Sequence, residues 1–306
     1  TPIPTTALHN TPHWRGVVVV VSTALYSPTR RTTPDTPCET EPMMLVLVTL
    51  ALAFQTDAAA APQLPPSMAA PPMILDRLGD HRRPIATDSE EARDWFDQGL
   101  ALMNGYNFDG AIASFQQATK HDPECAMAWW GIAYAGGPNQ NNPDIIAPKD
   151  QWTYAAAQRA YALREMEDGA NRALIEALVH RYNYPRPEDL TEQNQAYLDA
   201  MEDVHERYSM DPDVATWTAE AMLVMQPWEY WSLDGTPLKR TPEFRAILED
   251  VMRQHPDHPA ANHLYIHVME ASPWPEIAEP AADRLGGLIP ASGHLVHMPS
   301  HIWMQT

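Results

Sequence analysis

The stretch WFDQGLALMNGYNFDGAIASFQQATKHDP (residues 95–123) predicts a hairpin of two closely packed helices. Small residues at Gly99 and Ala111 allow the two helices to approach each other. Trp95 and Phe115 are large enough to fill the space between them, and Pro123 ends the second helix. A single hairpin cannot bury its own apolar face, so we expect several of them to be stacked along the chain.

A spacing of 34 residues recurs outside this hairpin. It separates Trp95 from Trp129 and Pro256 from Pro290. A constant period of this length indicates an array of two-helix units. Beyond the first 60 residues the chain is rich in Ala, Leu, Met, Glu and Gln and has almost no alternating β-branched runs, which favours helix. We therefore predict an all-α fold.

The spacing and the hairpin together resemble the tetratricopeptide repeat (TPR). The residues that match its consensus are Trp95, Gly99, Phe108, Ala111, Phe115, Ala118 and Pro123. This resemblance implies a right-handed α-solenoid of TPR-like helical hairpins over residues 85–306. Segments 262–272 and 293–302, together with residues 137–139, also resemble an uncharacterised group of exported bacterial TPR proteins, which implies that these segments are a signature without supplying an activity.

The predicted helices lie near residues 90–104, 108–121, 126–135, 150–166, 169–182, 190–208, 213–225, 242–255, 259–271 and 275–287, with a last helix after Gly293. Two insertions rich in turn formers interrupt them at residues 136–143 and 227–241. The last helix ends in Ile302, Trp303 and Met304, whereas a solenoid usually ends in a polar capping helix. We therefore expect the repeat domain to be truncated at its carboxyl end.

The amino-terminal region has a different composition. Residues 1–42 are rich in Thr and Pro and are expected to be a low-complexity segment, either a linker or an upstream translation. Residues 43–61 combine an apolar run with small residues and predict a signal peptide, although the usual preceding positive charge is missing. The alternative is an uncleaved or buried apolar helix. Residues 62–84 are expected to be a Pro-rich linker, and export to the periplasm or the extracellular space follows from the signal peptide.

The charge and the cysteine content make some partners and a disulfide framework unfavourable. The 20 Lys and Arg residues and 40 Asp and Glu residues give a formal net charge of -20. This charge disfavours nucleic acid and anionic membrane surfaces as partners, and favours a basic one. Cleavage of the signal peptide would leave Cys125 as the single cysteine, so we expect a buried thiol and no disulfide.

Four histidines form two pairs one repeat apart. His263 and His267 lie in NHLYIH (residues 262–267), and His297 and His301 lie in VHMPSH (residues 296–301). Side chains four apart share a helix face, and residues one period apart occupy equivalent places on adjacent units. The TPR resemblance implies that these four residues face the concave groove, as do Glu270 and His294. Pro299 is expected to start or kink the last helix.

Converging imidazoles predict a metal site. Two His-x-x-x-His pairs on adjacent helices can hold one transition metal, with Zn and Cu the first candidates, and Glu270 or His294 can serve as an additional ligand or as a base. The same histidines would also suit recognition of a peptide or small ligand, or structural hydrogen bonding.

Aromatic residues suggest a second ligand surface. At the groove positions of the second unit the chain has Trp130 and Tyr134, beside a loop that contains Asn139 and Asn141. These four residues are candidates for binding an organic ligand by stacking and hydrogen bonding. The alternative interpretation is aromatic packing within the superhelix and an ordinary surface loop.

The sequence leaves catalysis open. It contains no Gly-x-Ser-x-Gly, no phosphate-binding glycine loop and no His-Glu-x-x-His motif. Any chemistry would therefore be metal chemistry, either hydrolysis at zinc with Glu270 as base or oxidation or storage at copper. The alternative function is a TPR scaffold that binds a peptide or protein partner in its groove.

Overall fold

A computed structural model describes residue 66, residues 73–145 and residues 148–306. Within this part of the chain the regular elements are helices, and the extended pairs are two isolated bridges, Asn139 with Asn142 and Trp231 with Pro237. The all-α prediction is confirmed for the described residues. The predicted low-complexity segment 1–42 and the predicted signal peptide 43–61 lie outside them.

The α-helices follow one another with short connections. They are α1 Glu90–Asn104, α2 Phe108–His121, α3 Ala126–Gly136, α4 Lys149–Ala162, α5 Gly169–Leu178, α6 Thr191–Arg207, α7 Pro212–Met225, α8 Thr241–Gln254, α9 Pro259–Met269, α10 Glu279–Leu288, α11 Gly293–His297 and α12 Ser300–Trp303. Short 3₁₀ turns at Arg164–Met166, Val179–Arg181 and Pro275–Ala278 continue or precede three of them.

Four predicted helices are interrupted in the structure. Those over 169–182 and 275–287 consist of α5 and α10 together with the 3₁₀ segments Val179–Arg181 and Pro275–Ala278. The helix expected over 150–166 ends at Ala162, and its last turn is the 3₁₀ segment Arg164–Met166. The last helix is divided at Pro299 into α11 and α12, because proline lacks the amide that would continue the hydrogen-bond ladder.

Phe115 holds the first three helices together. Its side chain is fully buried and lies 5.4 Å from the ring of Phe96, centroid to centroid. A Cβ added to Gly99 or Gly131 would come within 2.5 Å or 2.7 Å of the Phe115 ring. The two glycines therefore let α1 and α3 pack directly on this ring, as the hairpin prediction required of Gly99.

Contacts also join helices that are far apart in sequence. The Ser292 hydroxyl donates to the Gly105 carbonyl over 3.2 Å, across 187 residues. The amide of Ala291 donates to the carbonyl of Arg77 over 3.1 Å. In an open solenoid each unit contacts only its neighbours. The end of α1 therefore lies against the start of α11.

Residues 73–89 form a strap rather than a free linker. The strap has no helix, but its hydrogen bonds reach three parts of the fold. The amide of Leu75 donates to Gln98 of α1 over 2.7 Å, and Asn171 of α5 donates to the Pro84 carbonyl over 2.8 Å. Arg83 is buried and donates to Asp213 of α7 over 2.9 Å. The predicted linker 62–84 is thus fixed to the helices from residue 73 onward.

Two further observations concern Cys125 and the apolar character of the helices. Cys125 is buried and unpaired, and burial raises the pKa of its thiol to about 12, so the thiol stays protonated. In the described part of the chain, no helix combines the length and the apolar character needed to cross a membrane.

Candidate metal centre

Three imidazoles meet where α9 faces the start of α11. Helix α9 supplies His263 and His267, one turn apart, and α11 supplies His294 in its first turn. Ligand nitrogens of the three residues all lie within 4.8 Å of one another. The Nε2 atoms of His263 and His294 face each other at 3.0 Å. We call these three residues the inner triad.

Glu270, which follows α9, orients one histidine of the triad. Its Oε1 lies 2.8 Å from Nδ1 of His267, and its Oε2 lies 2.5 Å from Nδ1 of His301. A carboxylate accepts hydrogen bonds, so both imidazoles carry their proton on Nδ1 and expose the lone pair of Nε2. The sequence offered Glu270 as a ligand or a base, whereas in this arrangement it positions two histidines.

Two buried nitrogen atoms of the triad have no hydrogen-bond partner. They are Nδ1 of His263 and Nε2 of His267. His263 and His267 are 0 % and 3 % exposed, so bulk solvent does not reach these atoms. Buried polar atoms without a partner are uncommon in folded proteins and require an explanation. For the Nε2 of His267, whose lone pair is already fixed by Glu270, a bound cation is a direct explanation.

Burial favours the neutral form of His263 and His294. It lowers the pKa of His263 well below its ordinary value, and the neighbouring imidazoles lower it further. Burial likewise lowers the pKa of His294 to about 4. For Glu270, burial opposes ionisation, but the hydrogen bonds from His267 and His301 dominate and the pKa is lowered. The site thus combines two imidazoles held neutral, His263 and His294, with an ionised carboxylate, and metal binding needs both of these states.

His297 and His301 form a separate outer pair. Their Nε2 atoms lie 3.2 Å apart, and His297 is exposed to solvent. The register predicted that His297 would be the counterpart of His263, but the close partner of His263 is His294. Helix α11 ends at His297 because of Pro299, and His301 belongs to the next short helix. The six predicted metal residues therefore lie together, in an arrangement that the repeat spacing did not give.

Two aromatic residues flank the triad on strained backbone. Tyr106 has φ 57° and Trp228 has φ 64°, in the left-handed region that large side chains rarely adopt. The Tyr106 ring stacks on His294 at 5.5 Å and meets the edge of His263 at 4.4 Å. The Trp228 ring meets His267 at 5.3 Å. Such strain is commonly retained at functional sites, and the sequence carried no signal for it.

A buried carboxylate fixes Tyr106. The Tyr106 hydroxyl donates to Glu220 of α7 over 2.8 Å, and the Tyr134 hydroxyl donates to the other oxygen of Glu220. Burial and the adjacent Glu220 raise the pKa of both phenols well above the ordinary value, so both stay protonated. Tyr134 stacks on Trp130 at 4.9 Å, and Trp130 contacts Trp217 at 4.7 Å.

Trp130 and Tyr134 therefore lie in the interior. Their exposed fractions are 1 % and 6 %, which leaves no open ring face for the organic ligand that the sequence placed there. The two asparagines of the same hypothesis lie elsewhere. Asn139 accepts from the amides of Asn141 and Asn142 at 3.0 Å and so builds the loop, while Asn141 is exposed.

A cavity of about 360 Å³ lies between this loop and the inner triad. The residues that line it include Tyr106, Phe108, Asn139, Asn141 and His294 of the triad. A volume of this size suits a small organic molecule. The charged residues at its rim are already paired, Lys149 with Asp109 and Asp144 with Arg186, so the cavity favours an uncharged ligand.

A second group of possible ligands consists of His81, Asp213 and His258. His258 is buried, and its Nδ1 accepts from the Ala261 amide at 3.2 Å. Its proton is consequently on Nε2, which donates to Asp213 over 3.2 Å and has no lone pair for a metal. Asp213 also accepts from His81 and Arg83. These residues form a hydrogen-bond network around the buried Arg83–Asp213 ion pair, which joins the strap and the start of α9 to α7.

No protein-family model matches the chain, and no curated protein matches it.

Proposed function

We propose that this protein binds a transition metal ion in the inner triad of His263, His267 and His294. The observation that supports the proposal most directly is the Nε2 of His267, buried and without a partner while Glu270 holds Nδ1 of the same ring. A histidine hydrogen-bonded through one nitrogen to a carboxylate is the usual arrangement of a metal ligand. Three imidazole ligands favour Zn or Cu, because neither needs a thiolate or a carboxylate ligand.

The neighbouring cavity supports a function beyond storage. Three protein ligands leave a coordination position free, as in catalytic zinc sites. His294 belongs to the triad and also lines the cavity, so a small uncharged molecule in the cavity would lie beside the free coordination position. A metal there would polarise a bound carbonyl or activate water, or transfer electrons if it is copper. We therefore infer a metal-dependent hydrolase or oxidase acting on such a molecule.

The scaffold alternative has less support. Its groove would present Trp130 and Tyr134 to a peptide, and both are buried. Export remains part of the proposal on the basis of the apolar run at 45–54. Sequencing of the mature amino terminus from the native host tests it, because an intact segment 1–42 would contradict export.

Metal analysis tests the central proposal. The chain is stripped with a chelator, incubated with Zn²⁺ or Cu²⁺, desalted and measured by elemental analysis. We expect the wild type to retain at least one equivalent and the H263A/H267A double variant to retain at least one equivalent less. His180 is exposed and outside the cluster, so H180A is the control and should match the wild type. Retention of no metal by the wild type, or equal retention by the double variant, would overturn the proposal.

A further inference from the structure

We propose that the histidine cluster holds two metal ions, one in the inner triad and a second between His297 and His301. This inference rests on the proposed function and extends it, since a single ion accounts for the inner triad only. The second ion explains why another pair of Nε2 atoms face each other outside the triad.

The Nε2–Nε2 distances within the two histidine pairs match those between two nitrogen ligands of one ion. Nitrogen ligands lie ~2.0–2.1 Å from zinc, so two of them on one ion are about 2.9 Å apart at right angles and about 3.4 Å apart in a tetrahedron. The Nε2 atoms of His263 and His294 are 3.0 Å apart, and those of His297 and His301 are 3.2 Å apart. Both separations fall in that interval. Each pair is therefore spaced to hold an ion of its own.

The outer pair also has the correct tautomer. Nδ1 of His301 donates to Glu270, so its Nε2 carries a lone pair directed at His297. The two histidines are four residues apart, on either side of the Pro299 break. Water or donor atoms of a small molecule can complete the coordination of this ion, because His297 is exposed.

Glu270 lies between the two sets and offsets their charge. One carboxylate oxygen binds His267 of the inner triad and the other binds His301 of the outer pair. The rings of these two histidines are 5.9 Å apart, centroid to centroid. A negative charge shared between two cation sites reduces the repulsion between the cations. Because the same carboxylate holds both histidines, an ion bound at one site also helps to orient a ligand of the other site.

The two sites differ in access to solvent. His263 and His267 are almost completely buried, whereas the side chain of His301 is 29 % exposed and His297 is open to solvent. An ion in the inner triad should therefore exchange slowly, and an ion in the outer pair should exchange quickly. Titration of the full chain with Cu²⁺ should show two classes of affinity, the tighter one belonging to the inner triad.

The test uses the full chain stripped of metal and titrated with Cu²⁺ alone. Elemental analysis counts the ions, and electron paramagnetic resonance detects magnetic coupling between neighbouring Cu²⁺ ions. We expect two equivalents with coupling in the wild type. In H297A we expect one equivalent and no coupling, and the exposure of His297 means that this variant should fold. H297Q is a second variant with the same expected result, and H255A, which changes another exposed histidine, should behave as the wild type.

The outcomes separate the two proposals. No bound ion in the wild type contradicts the proposed function as well as this inference. One ion in both the wild type and H297A leaves the proposed function intact and overturns the second site. Two ions in the wild type that show no coupling, or that persist in H297A, identify the second as an adventitious ion only and also overturn it.

Discussion

Glu270 and His301 are joined by a 2.5 Å hydrogen bond across 31 residues of sequence. The other oxygen of Glu270 holds His267, three residues away on the preceding helix. One carboxylate thus sets the tautomer and the orientation of two imidazoles on different helices. The geometry of the candidate centre depends on a residue that need not contact the metal.

Replacement of this carboxylate should weaken metal binding. In E270Q the amide oxygen can accept only one of the two hydrogen bonds, and the amide nitrogen would face the Nδ1 proton of the other ring. We expect the affinity for Zn²⁺ to fall by about 10–100-fold, as for other partners of metal ligands. Competition with a chelating dye measures it. Glu276 is exposed, so E276Q is the matched control, and equal affinity of E270Q and E276Q would contradict the role of Glu270.

Bound metal should stabilise the fold. The triad joins α9 to α11, and an ion that binds only the folded chain adds about 2.7 kcal/mol to the free energy of unfolding at 100 times its Kd. For a domain of this size we expect the Tm to rise by ~5–10 °C. Thermal unfolding with Zn²⁺ and after chelation measures the shift. The H263A/H267A variant should show no such shift, and a rise as large as in the wild type would point to binding elsewhere.

Ionised Asp213 should stabilise the fold, and this stabilisation should be lost at acidic pH. Burial opposes its ionisation, but hydrogen bonds from His258 and His81 dominate and lower its pKa well below 3.8. A lowered carboxyl pKa stabilises the fold above pH 3.8, and this stabilisation is lost as the pH falls toward the pKa of the folded state. Removal of the charge in D213N leaves the buried Arg83 with Asp211 as its remaining carboxylate partner and should cost about 3 kcal/mol at pH 7.

The pH dependence distinguishes this role from simple packing. We expect the free energy of unfolding of D213N to fall less steeply than that of the wild type below pH 3.8. Denaturant titrations at pH 7 and at several acidic pH values measure both quantities. Asp257 is an exposed carboxylate close to His258 in sequence, so D257N should keep the wild-type curve. Parallel curves for D213N and the wild type would show that the ion pair is not responsible.

A pair of glycine substitutions tests the packing around Phe115. In G131A the new methyl group would lie 2.7 Å from three atoms of a fully buried ring, so the helices must separate. We expect a loss of about 1–3 kcal/mol in the free energy of unfolding. Gly287 is also in a helix and has no atom within 4 Å of an added Cβ, so G287A should be neutral or stabilising by up to ~1 kcal/mol. Similar losses in the two variants would contradict close packing at Gly131.

The sequence predicted the positions of the helices well because local signals mark where many of them begin and end. Ser292 caps α11, Pro212 begins α7, and the apolar spacing fixes the rest. It also brought the histidines together, since residues four apart share a face. The sequence did not predict the pairing of His263 with His294, because the repeat spacing matched His263 with His297. Neither could it predict the position of Tyr106, which depends on a contact between segments 187 residues apart.

The contact between Gly105 and Ser292 limits how many residues can be inserted or deleted between them. In an open array of repeats a unit can be inserted or deleted while every interface is kept. Here an added hairpin would move Ser292 away from Gly105 and would carry His294 away from Tyr106. The number of hairpins between these two residues is therefore set by the site they enclose, and growth of the chain would have to occur outside this interval.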